Sequence, residues 1–177
     1  MVVFDATALI YLFDPKTKAP IDEMTGTAVT HVQERIEFII RELNKRNEKI
    51  IVPTPALSEL LVRAGEAGPE YLEKLGKSAV FKIVGFDQRA AIEVAATTRE
   101  AIDAGNKRGG SSGVWSKVKF DRQIIAIAKV EGASRIYSDD DDIYRLLKNS
   151  EIDVVRICDL PLPPEEAQKK LDFSSQN

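Results

Sequence analysis

The chain has 177 residues, of which 44% are hydrophobic and 30% charged, a composition typical of one soluble globular domain rather than a disordered chain or a membrane protein. Its formal net charge is -3, so the chain lacks the excess of basic residues that is typical of a protein that coats nucleic acid without regard to sequence. The single cysteine and single histidine exclude an internal disulfide, a zinc site of four Cys or His ligands and most histidine-based catalysis, and they favour a reducing, cytoplasmic setting.

Short apolar runs of strand length alternate with longer helical segments along the chain. In residues 27–47, for example, Val29, Val32, Ile36 and Ile40 recur at spacings of three and four. This alternation predicts an α/β fold, with a parallel sheet covered by helices on both faces. The predicted strands are residues 2–4, 49–52, 80–84, 135–137 and 152–157. The predicted helices are residues 27–47, 55–64, 87–104, 116–131 and 143–148.

Three segments do not fit the alternation. Residues 14–26 contain two prolines and residues 105–113 contain four glycines, so both are predicted to be loops. Residues 160–177 contain three prolines near their start and continue with mostly polar residues, so we expect one domain at 1–159 followed by a C-terminal tail. No apolar run is long enough to span a membrane and no secretory signal is recognisable, so no membrane contact is expected.

Two aspartates stand where structure alone would not place them. In a parallel sheet the functional site lies beyond the carboxyl ends of the strands, and Asp5 directly follows the first strand. It either caps the next helix or faces that site. Asp121 precedes Ile124, Ile125 and Ala128 by three, four and seven residues, so it shares the helix face that points into the protein. A carboxylate there needs a partner, unless it belongs to the first helical turn, where the helix dipole favours acids.

Residues 139–142 are four consecutive aspartates after the fourth predicted strand. Any one of them alone is more typical of a solvated turn and a helix start, and their spacing excludes an EF-hand loop. Glu59 lies opposite Leu57, Leu60 and Leu61 on a helical wheel, so the hydrophobic pattern places it on the surface.

Asp5, Asp121 and one or two of the four consecutive aspartates would meet at one edge of the sheet. Two carboxylates ~5 Å apart repel each other by roughly 3 kcal/mol at an effective dielectric constant of ~20, so such a cluster requires protons or a cation. Mg²⁺ or Mn²⁺ is the expected cation, since both prefer oxygen ligands and commonly keep several waters.

Four segments, in this order, resemble the motifs of the PIN-domain nucleases. They are residues 2–9 (VVFDATAL), 53–61 (PTPALSELL), 120–128 (FDRQIIAIA) and 136–142 (IYSDDDD). Each motif is weak alone, and the specificity lies in their combination. The resemblance implies a three-layer α/β/α sandwich with a mainly parallel sheet of about five strands, and Mg²⁺- or Mn²⁺-dependent hydrolysis of RNA phosphodiester bonds by a metal-activated water.

The resemblance also assigns roles to individual residues. The expected catalytic acids are Asp5, Glu59, Asp121 and Asp140. The expected metal ligands are these four residues together with Asp142. Two hydroxyl residues, Thr7 and Ser138, are expected to donate hydrogen bonds to the ligand carboxylates, although both residue types are also ordinary helix caps.

An acidic site needs cations nearby to bind a phosphate backbone. Lys117, Lys119 and Arg122 flank Asp121 and are expected to bind RNA phosphates, with Trp115 available for base stacking. The alternative is solvated cations at a helix start beside a core tryptophan.

These observations predict a cytoplasmic endoribonuclease, for which the toxin of a toxin-antitoxin pair is one role, with a cognate antitoxin protein and a homodimer as expected partners. The chain is longer than the compact toxin nucleases, which argues against the toxin role more than against the chemistry. Two alternatives remain open: a non-catalytic PIN-like module that binds RNA or protein, and a structure-specific DNA nuclease.

Overall fold

The structure, a computed structural model, describes residues 1–111 and 113–164. Five parallel strands form one sheet in the order β3-β2-β1-β4-β5. Their bounds are β1 Val2–Phe4, β2 Ile50–Pro53, β3 Phe81–Val84, β4 Arg135–Tyr137 and β5 Asp153–Val155. Each strand begins and ends within about two residues of the position that the apolar runs predict.

Helices cover both faces of this sheet. Those described are α1 Ala6–Phe13, α2 Val32–Lys45, α3 Thr54–Ala64, α4 Gly68–Lys77, α5 Gln88–Asp103, α6 Trp115–Val130 and α7 Asp141–Leu147. The connections from β1 through β2 to β3 cross the sheet in one direction, and those from β3 through β4 to β5 return in the other. Because parallel crossovers are right-handed, the two sets of helices lie on opposite faces. The predicted three-layer α/β sandwich is confirmed.

The helices differ from the sequence prediction at three places. α2 begins at Val32 rather than at residue 27, since His31 adopts a left-handed φ of 56° that a helix cannot continue through. The hydrophobic pattern predicts neither α1 nor α4. α4 carries Pro69 in its first turn, where the missing backbone N–H has no helical partner to lose.

The central strand is buried on both faces. β1 lies between β2 and β4, and none of Val2, Val3 and Phe4 exposes more than a trace of its surface. A continuous apolar run of this kind is what a parallel strand between two helical layers requires. The Phe4 ring meets the rings of Phe81 and Tyr137 edge-on, with centroids 6.2 and 5.1 Å away. These ring contacts link β1 to strands on both of its sides.

The strand order also determines where a site can form. β1 is connected to β2 on one side and pairs with β4 on the other, so the helices that follow β1 and β4 depart toward opposite faces. A crevice opens at such a switch point, beyond the carboxyl ends of the two strands. Asp5 follows β1 and Ser138 follows β4, and the backbone N–H of Asp5 donates to the carbonyl of Tyr137 at 3.2 Å. Both segments therefore reach the same crevice.

The two predicted loops hold no helix in the part that the structure describes. Residues 14–26 form turns, and an isolated antiparallel bridge joins Ile21 to Ala28. Residues 105–113 form further turns before α6, with Ser112 outside the described residues.

The predicted C-terminal tail begins in contact with the domain. Leu160 is buried, and the guanidinium of Arg35 donates a hydrogen bond to its carbonyl. Residues 165–177 lie outside the described residues, so the boundary at residue 159 stays a prediction. Among the described helices, none combines the length and the apolar character needed to cross a membrane.

A pair of isoleucines tests the packing of the helical layers. Ile36 on α2 is 0% exposed, whereas Ile92 on α5 is 63% exposed. We expect Ile36→Ala to lower the free energy of unfolding by about 2–5 kcal/mol, because it removes buried methyl groups and leaves a cavity. Ile92→Ala should change it by less than about 0.5 kcal/mol. Urea unfolding followed by circular dichroism measures both, and equal effects would contradict the placement of α2 on the core.

Candidate active site

The carboxylate of Asp5 is buried in the crevice and is held by hydroxyl groups. Asp5 precedes α1 as its N-cap residue, but its side chain makes no capping hydrogen bond. Its Oδ2 accepts instead from Ser138 Oγ at 2.7 Å and from Thr7 Oγ1 at 3.4 Å. Ser138 Oγ in turn accepts from the backbone N–H of Asp140 at 3.0 Å. The carboxylate therefore faces the crevice rather than its own helix.

Three further carboxylates converge there. One oxygen from each of Asp121, Asp140 and Asp142 lies within 4.8 Å of the other two. Asp121 is buried and lies beyond the first turn of α6, so the helix-dipole alternative does not explain it. Asp140 precedes α7 and Asp142 lies in its first turn, and both are within reach because β4 ends beside β1.

A lysine ammonium lies among these three carboxylates. Lys117 Nζ donates to Oδ2 of Asp121 at 3.2 Å, of Asp140 at 2.7 Å and of Asp142 at 3.0 Å. Lys117 lies one turn before Asp121 on α6, so the two side chains share one helix face. This ammonium is the partner that the buried position of Asp121 requires.

In the aspartate run, residues 139–142, two carboxylates face Lys117 and two face other partners. Oδ1 of Asp140 caps α7 by accepting from the backbone N–H of Asp142 at 2.8 Å, while its Oδ2 faces Lys117. Asp139 points elsewhere and accepts from the backbone N–H of Ile157, and Asp141 is exposed and pairs with Arg156. Only the second and fourth aspartates of the run therefore enter the site.

The glycine-rich loop, residues 105–111 and 113 in the part that the structure describes, supplies a wall of the site next to Asp142. Ser111 is buried and donates a hydrogen bond to the Asp142 carboxylate. A Cβ at Gly113 would lie 3.1 Å from Asp142 Oδ2 and 3.1 Å from Ser111 Oγ, tighter than most such contacts. Arg145 Nη1 donates a hydrogen bond to the other oxygen, Oδ1, of Asp142 at 3.1 Å.

Burial shifts the ionisation of two of the acids. It raises the pKa of Asp5 to about 6, against the hydrogen bond from Ser138, and the nearby charges of Asp140 and Glu59 add to the rise. Burial likewise raises the pKa of Asp121 to about 7, with Lys117 opposing and Asp140 reinforcing the shift. The protein thus compensates the charges of these two carboxylates only in part.

At Lys117 and Asp142, by contrast, hydrogen bonds favour the charged form. Burial acts to lower the pKa of Lys117, but the hydrogen bonds to Asp140 and Asp142 outweigh it and raise that pKa above its ordinary value. Burial acts to raise the pKa of Asp142, but hydrogen bonds from Lys117 and Ser111 leave it below its ordinary value. Lys117 is therefore charged, and so is Asp142, throughout the neutral range.

The structure arranges the predicted acids unequally. Asp121, Asp140 and Asp142 form the close group, and Asp5 adjoins it through Ser138. Glu59 is exposed on α3 and does not belong to the close group, as its place on the helical wheel indicates. Its charge nevertheless contributes to the raised pKa of Asp5, which places it in the neighbourhood of the crevice.

The cations predicted to bind RNA occupy three different environments. Lys117 is bound to the acids. Arg122 is only 6% exposed, and its guanidinium donates to Thr98 Oγ1 and to the carbonyl of Lys107, so it is not available to a phosphate in this structure. Lys119 is exposed, with Nζ 5.6 Å from the ring centroid of Trp115. The periodicity that buries Asp121 applies equally to Arg122, its neighbour on α6, and the prediction overlooked it.

Two contributors to the site escaped the sequence analysis. No sequence pattern marks Ser111 as a site residue, apart from the glycines around it, which indicate a close approach of the backbone. Arg145 lies three residues after Asp142 on α7, a spacing that brings helix side chains together, and this spacing was the usable signal.

The donor set fits a hard divalent cation. The oxygens of Asp121, Asp140 and Asp142 all lie within 4.8 Å of one another, which is compatible with a shared ion after a small contraction. Carboxylate oxygens without nearby histidine or cysteine ligands in this group favour Mg²⁺ or Mn²⁺ over zinc. Lys117 balances one of the three negative charges and Arg145 approaches only Asp142, so the group remains short of positive charge.

The raised pKa values predict how metal-free stability depends on pH. The folded pKa values of about 6 for Asp5 and about 7 for Asp121 lie above the ordinary 3.8, so the folded state holds more protons than the unfolded state between these limits. Stability should therefore fall, by a few kcal/mol, as pH rises from about 4 to about 7. Asp121→Asn should flatten the upper part of this fall.

Urea midpoints in EDTA at pH 5 and pH 8 measure this effect. Asp103→Asn, the same change at an exposed position on α5, is the matched control and should keep the wild-type profile. A wild-type protein that gains stability between pH 5 and pH 8 would contradict the assignment of buried, under-compensated acids.

Comparisons with known proteins bear on the fold. Neither protein-family models nor curated proteins give a match to this chain. Solved structures do, and two of them are described next. DNA-bound VapBC from Salmonella typhimurium matches with a TM-score of 0.54 at 16% identity, over 89% of this chain and 98% of that one. VapBC2 from Rickettsia felis, bound to a DNA fragment from its promoter, matches with a TM-score of 0.57 at 12% identity, over 88% and 98%.

At these identities the likeness concerns the fold. VapBC pairs are toxin-antitoxin complexes in which VapC is a PIN-domain nuclease. The strand order, the switch-point crevice and the likeness to these structures lead to one conclusion: the chain has the PIN-domain fold.

Proposed function

We propose that this protein is a ribonuclease that depends on Mg²⁺ or Mn²⁺ and hydrolyses RNA phosphodiester bonds. The observation that supports this most directly is the convergence of Asp121, Asp140 and Asp142 at the switch point of a PIN-domain fold, with Asp5 adjoining them. A purely structural role would not require three carboxylates in one small pocket, because each close pair repels.

The acids would have different roles around a bound metal. Asp121, Asp140 and Asp142 would ligate it, and Ser138 would keep Asp5 oriented toward them through its 2.7 Å hydrogen bond. Glu59, exposed on α3, would act from the rim by orienting water. When bound, the divalent ion would lower the pKa of a coordinated water and screen the charge of the phosphate. No histidine is needed for this chemistry.

The RNA path would run beside the start of α6. Lys119 and Lys107 both lie close to the Trp115 ring. Their Nζ atoms are 5.6 and 4.4 Å from its centroid. These two ammonium groups, rather than Arg122, would bind phosphates, and Trp115 would stack on a base once a lysine moves aside. A Lys119→Glu variant whose RNA binding keeps the wild-type salt dependence would contradict this path.

The toxin of a toxin-antitoxin pair is the biological role we propose. Two of its structural neighbours are VapBC complexes, and this chain covers 98% of each matched chain. A cognate antitoxin would then be the protein partner. The greater length of this chain does not remove the match, which spans 89% and 88% of it.

Cleavage assays test the enzymatic proposal. Purified protein incubated with unstructured RNA and Mn²⁺ should release fragments, EDTA should stop the reaction, and Asp121→Asn should slow it by at least about 100-fold, because charge stabilisation at the reacting phosphate is lost. Asp103→Asn should cleave like wild type.

The same assay separates the alternatives. If wild type and Asp121→Asn behave identically with and without metal, the chain is a binding module. If branched DNA is cut and RNA is not, the chain is a structure-specific DNA nuclease.

Expression tests the toxin role separately. Induction of the wild-type chain alone in a bacterial host should arrest growth, and induction of Asp121→Asn to the same protein level should not, because only the metal site differs. Normal growth with a wild-type chain that cleaves RNA after purification would remove the toxin role and leave the nuclease.

A further inference from the structure

The ammonium of Lys117 occupies the position that a shared cation would take. The oxygens that accept its three hydrogen bonds, Oδ2 of Asp121, Asp140 and Asp142, belong to the three residues that form the close carboxylate group. Its distances of 3.2, 2.7 and 3.0 Å are those of an ammonium among carboxylates. Mg²⁺ ligands lie at about 2.0–2.1 Å, so an ion bound to these oxygens leaves no room for the ammonium.

The Lys117 side chain can also leave the pocket, because it is partly exposed to solvent. Its side chain is 41% exposed, while those of Asp121 and Asp142 are 7% and 9% exposed. Its stem passes Gly113, where a side-chain Cβ would lie 3.6 Å from Lys117 Cδ. The flexible four-carbon stem can therefore turn toward solvent by rotation about its own bonds, without any displacement of α6.

The charges favour such an exchange. One ammonium faces three carboxylates, and of these three Arg145 reaches only Asp142, by its far oxygen Oδ1. Its other ion pair is with Asp141, outside the group. A divalent ion supplies twice the charge at shorter distances, whereas the ammonium is attached to the chain and is present at every metal concentration. The ammonium is thus the weaker cation for the pocket but the one that is always available.

We propose that Lys117 is a built-in counter-ion that holds the acidic pocket together when no metal is bound and competes with the divalent ion for the same three carboxylates. This proposal rests on the proposed function, because it assumes that a divalent ion binds to these three carboxylates. It gives Lys117 a regulatory role at the metal site in place of the RNA contact that the sequence predicts. The competition sets the metal concentration at which the site becomes occupied, since a pocket filled by the ammonium must first release it.

Lys117→Met tests the competition, because methionine retains an apolar stem and lacks the charge. The matched control is Lys129→Met on the same helix: its side chain is 36% exposed and its Nζ pairs with the single carboxylate of Glu93 at 2.8 Å. Both variants remove one positive charge from α6. Isothermal titration of EDTA-stripped protein with Mn²⁺ measures affinity, and calorimetric melting measures stability with and without Mn²⁺.

We expect Lys117→Met to bind Mn²⁺ about tenfold more tightly than wild type, because the competing cation is gone. Its metal-free melting temperature should fall by roughly 3 °C or more, because the carboxylates lose their counter-ion, and Mn²⁺ should restore the wild-type value. Lys129→Met should keep the wild-type affinity for Mn²⁺. Lys117→Arg, which retains the charge, should melt close to wild type without metal.

The outcomes separate this proposal from the proposed function. If wild type binds Mn²⁺ and Lys117→Met binds it equally or more weakly, the counter-ion proposal is overturned while the metal site stands. If only Lys117→Met binds Mn²⁺, the competition is confirmed in its strongest form. If neither binds, both proposals are overturned. A Lys117→Met chain that unfolds without metal but folds with Mn²⁺ supports the proposal, and one that stays unfolded in both conditions contradicts it.

Discussion

Compensation of negative charge at the β1 and β4 ends is the interaction on which the rest of the site depends. The strand order makes these two strands neighbours, so the segments that follow them deliver carboxylates to one crevice, and α6 adds Asp121 from the side. Buried carboxylates destabilise a fold unless donors surround them. Here the donors come from different elements: Ser138 for Asp5, Lys117 for the close group, and Arg145 with Ser111 for Asp142. The crevice is therefore both the candidate site and a junction that holds α6, α7 and the glycine-rich loop to the sheet.

Asp140 shows how closely folding and chemistry are combined at this junction. One of its oxygens caps α7 and the other faces Lys117. An isosteric amide at this position keeps an oxygen for the cap and removes the charge, whereas alanine removes both. Loss of activity in an alanine variant would therefore mix a frayed helix with a missing ligand. Asp121 has no capping role, because it lies in the interior of α6, and it is the cleaner position at which to separate charge from fold.

The sequence predicts the scaffold well and the contacts within the site less well. Apolar runs locate the five strands, and the spacing of Asp121 to Ile124, Ile125 and Ala128 predicts its burial, because both follow from local periodicity. α4 is missed because Gly68, Pro69 and Gly76 are residue types that are typical of loops. In the structure this segment is nevertheless a helix, and it buries Leu75. The role of Lys117 depends on residues 23 and 25 positions away, at Asp140 and Asp142, and no local pattern carries that information. The place of Glu59 in the proposal still comes from the motif resemblance, since the structure leaves it exposed.

The incomplete compensation within the crevice is itself an argument for function. A site built only for stability would pair each acid fully or replace it by apolar residues, which often stabilises a core as well or better. In this protein burial raises the pKa values of Asp5 and Asp121 despite Ser138 and Lys117. The four ionised carboxylates of the pocket face only the Lys117 ammonium and the Arg145 guanidinium, so their negative charge exceeds what these side chains neutralise. Such a deficit attracts cations, and the attraction is steepest for an ion that is small and doubly charged. In the proposed nuclease, the same deficit would repel a nucleic acid backbone until that ion is bound, and metal binding would then be the step that admits the substrate.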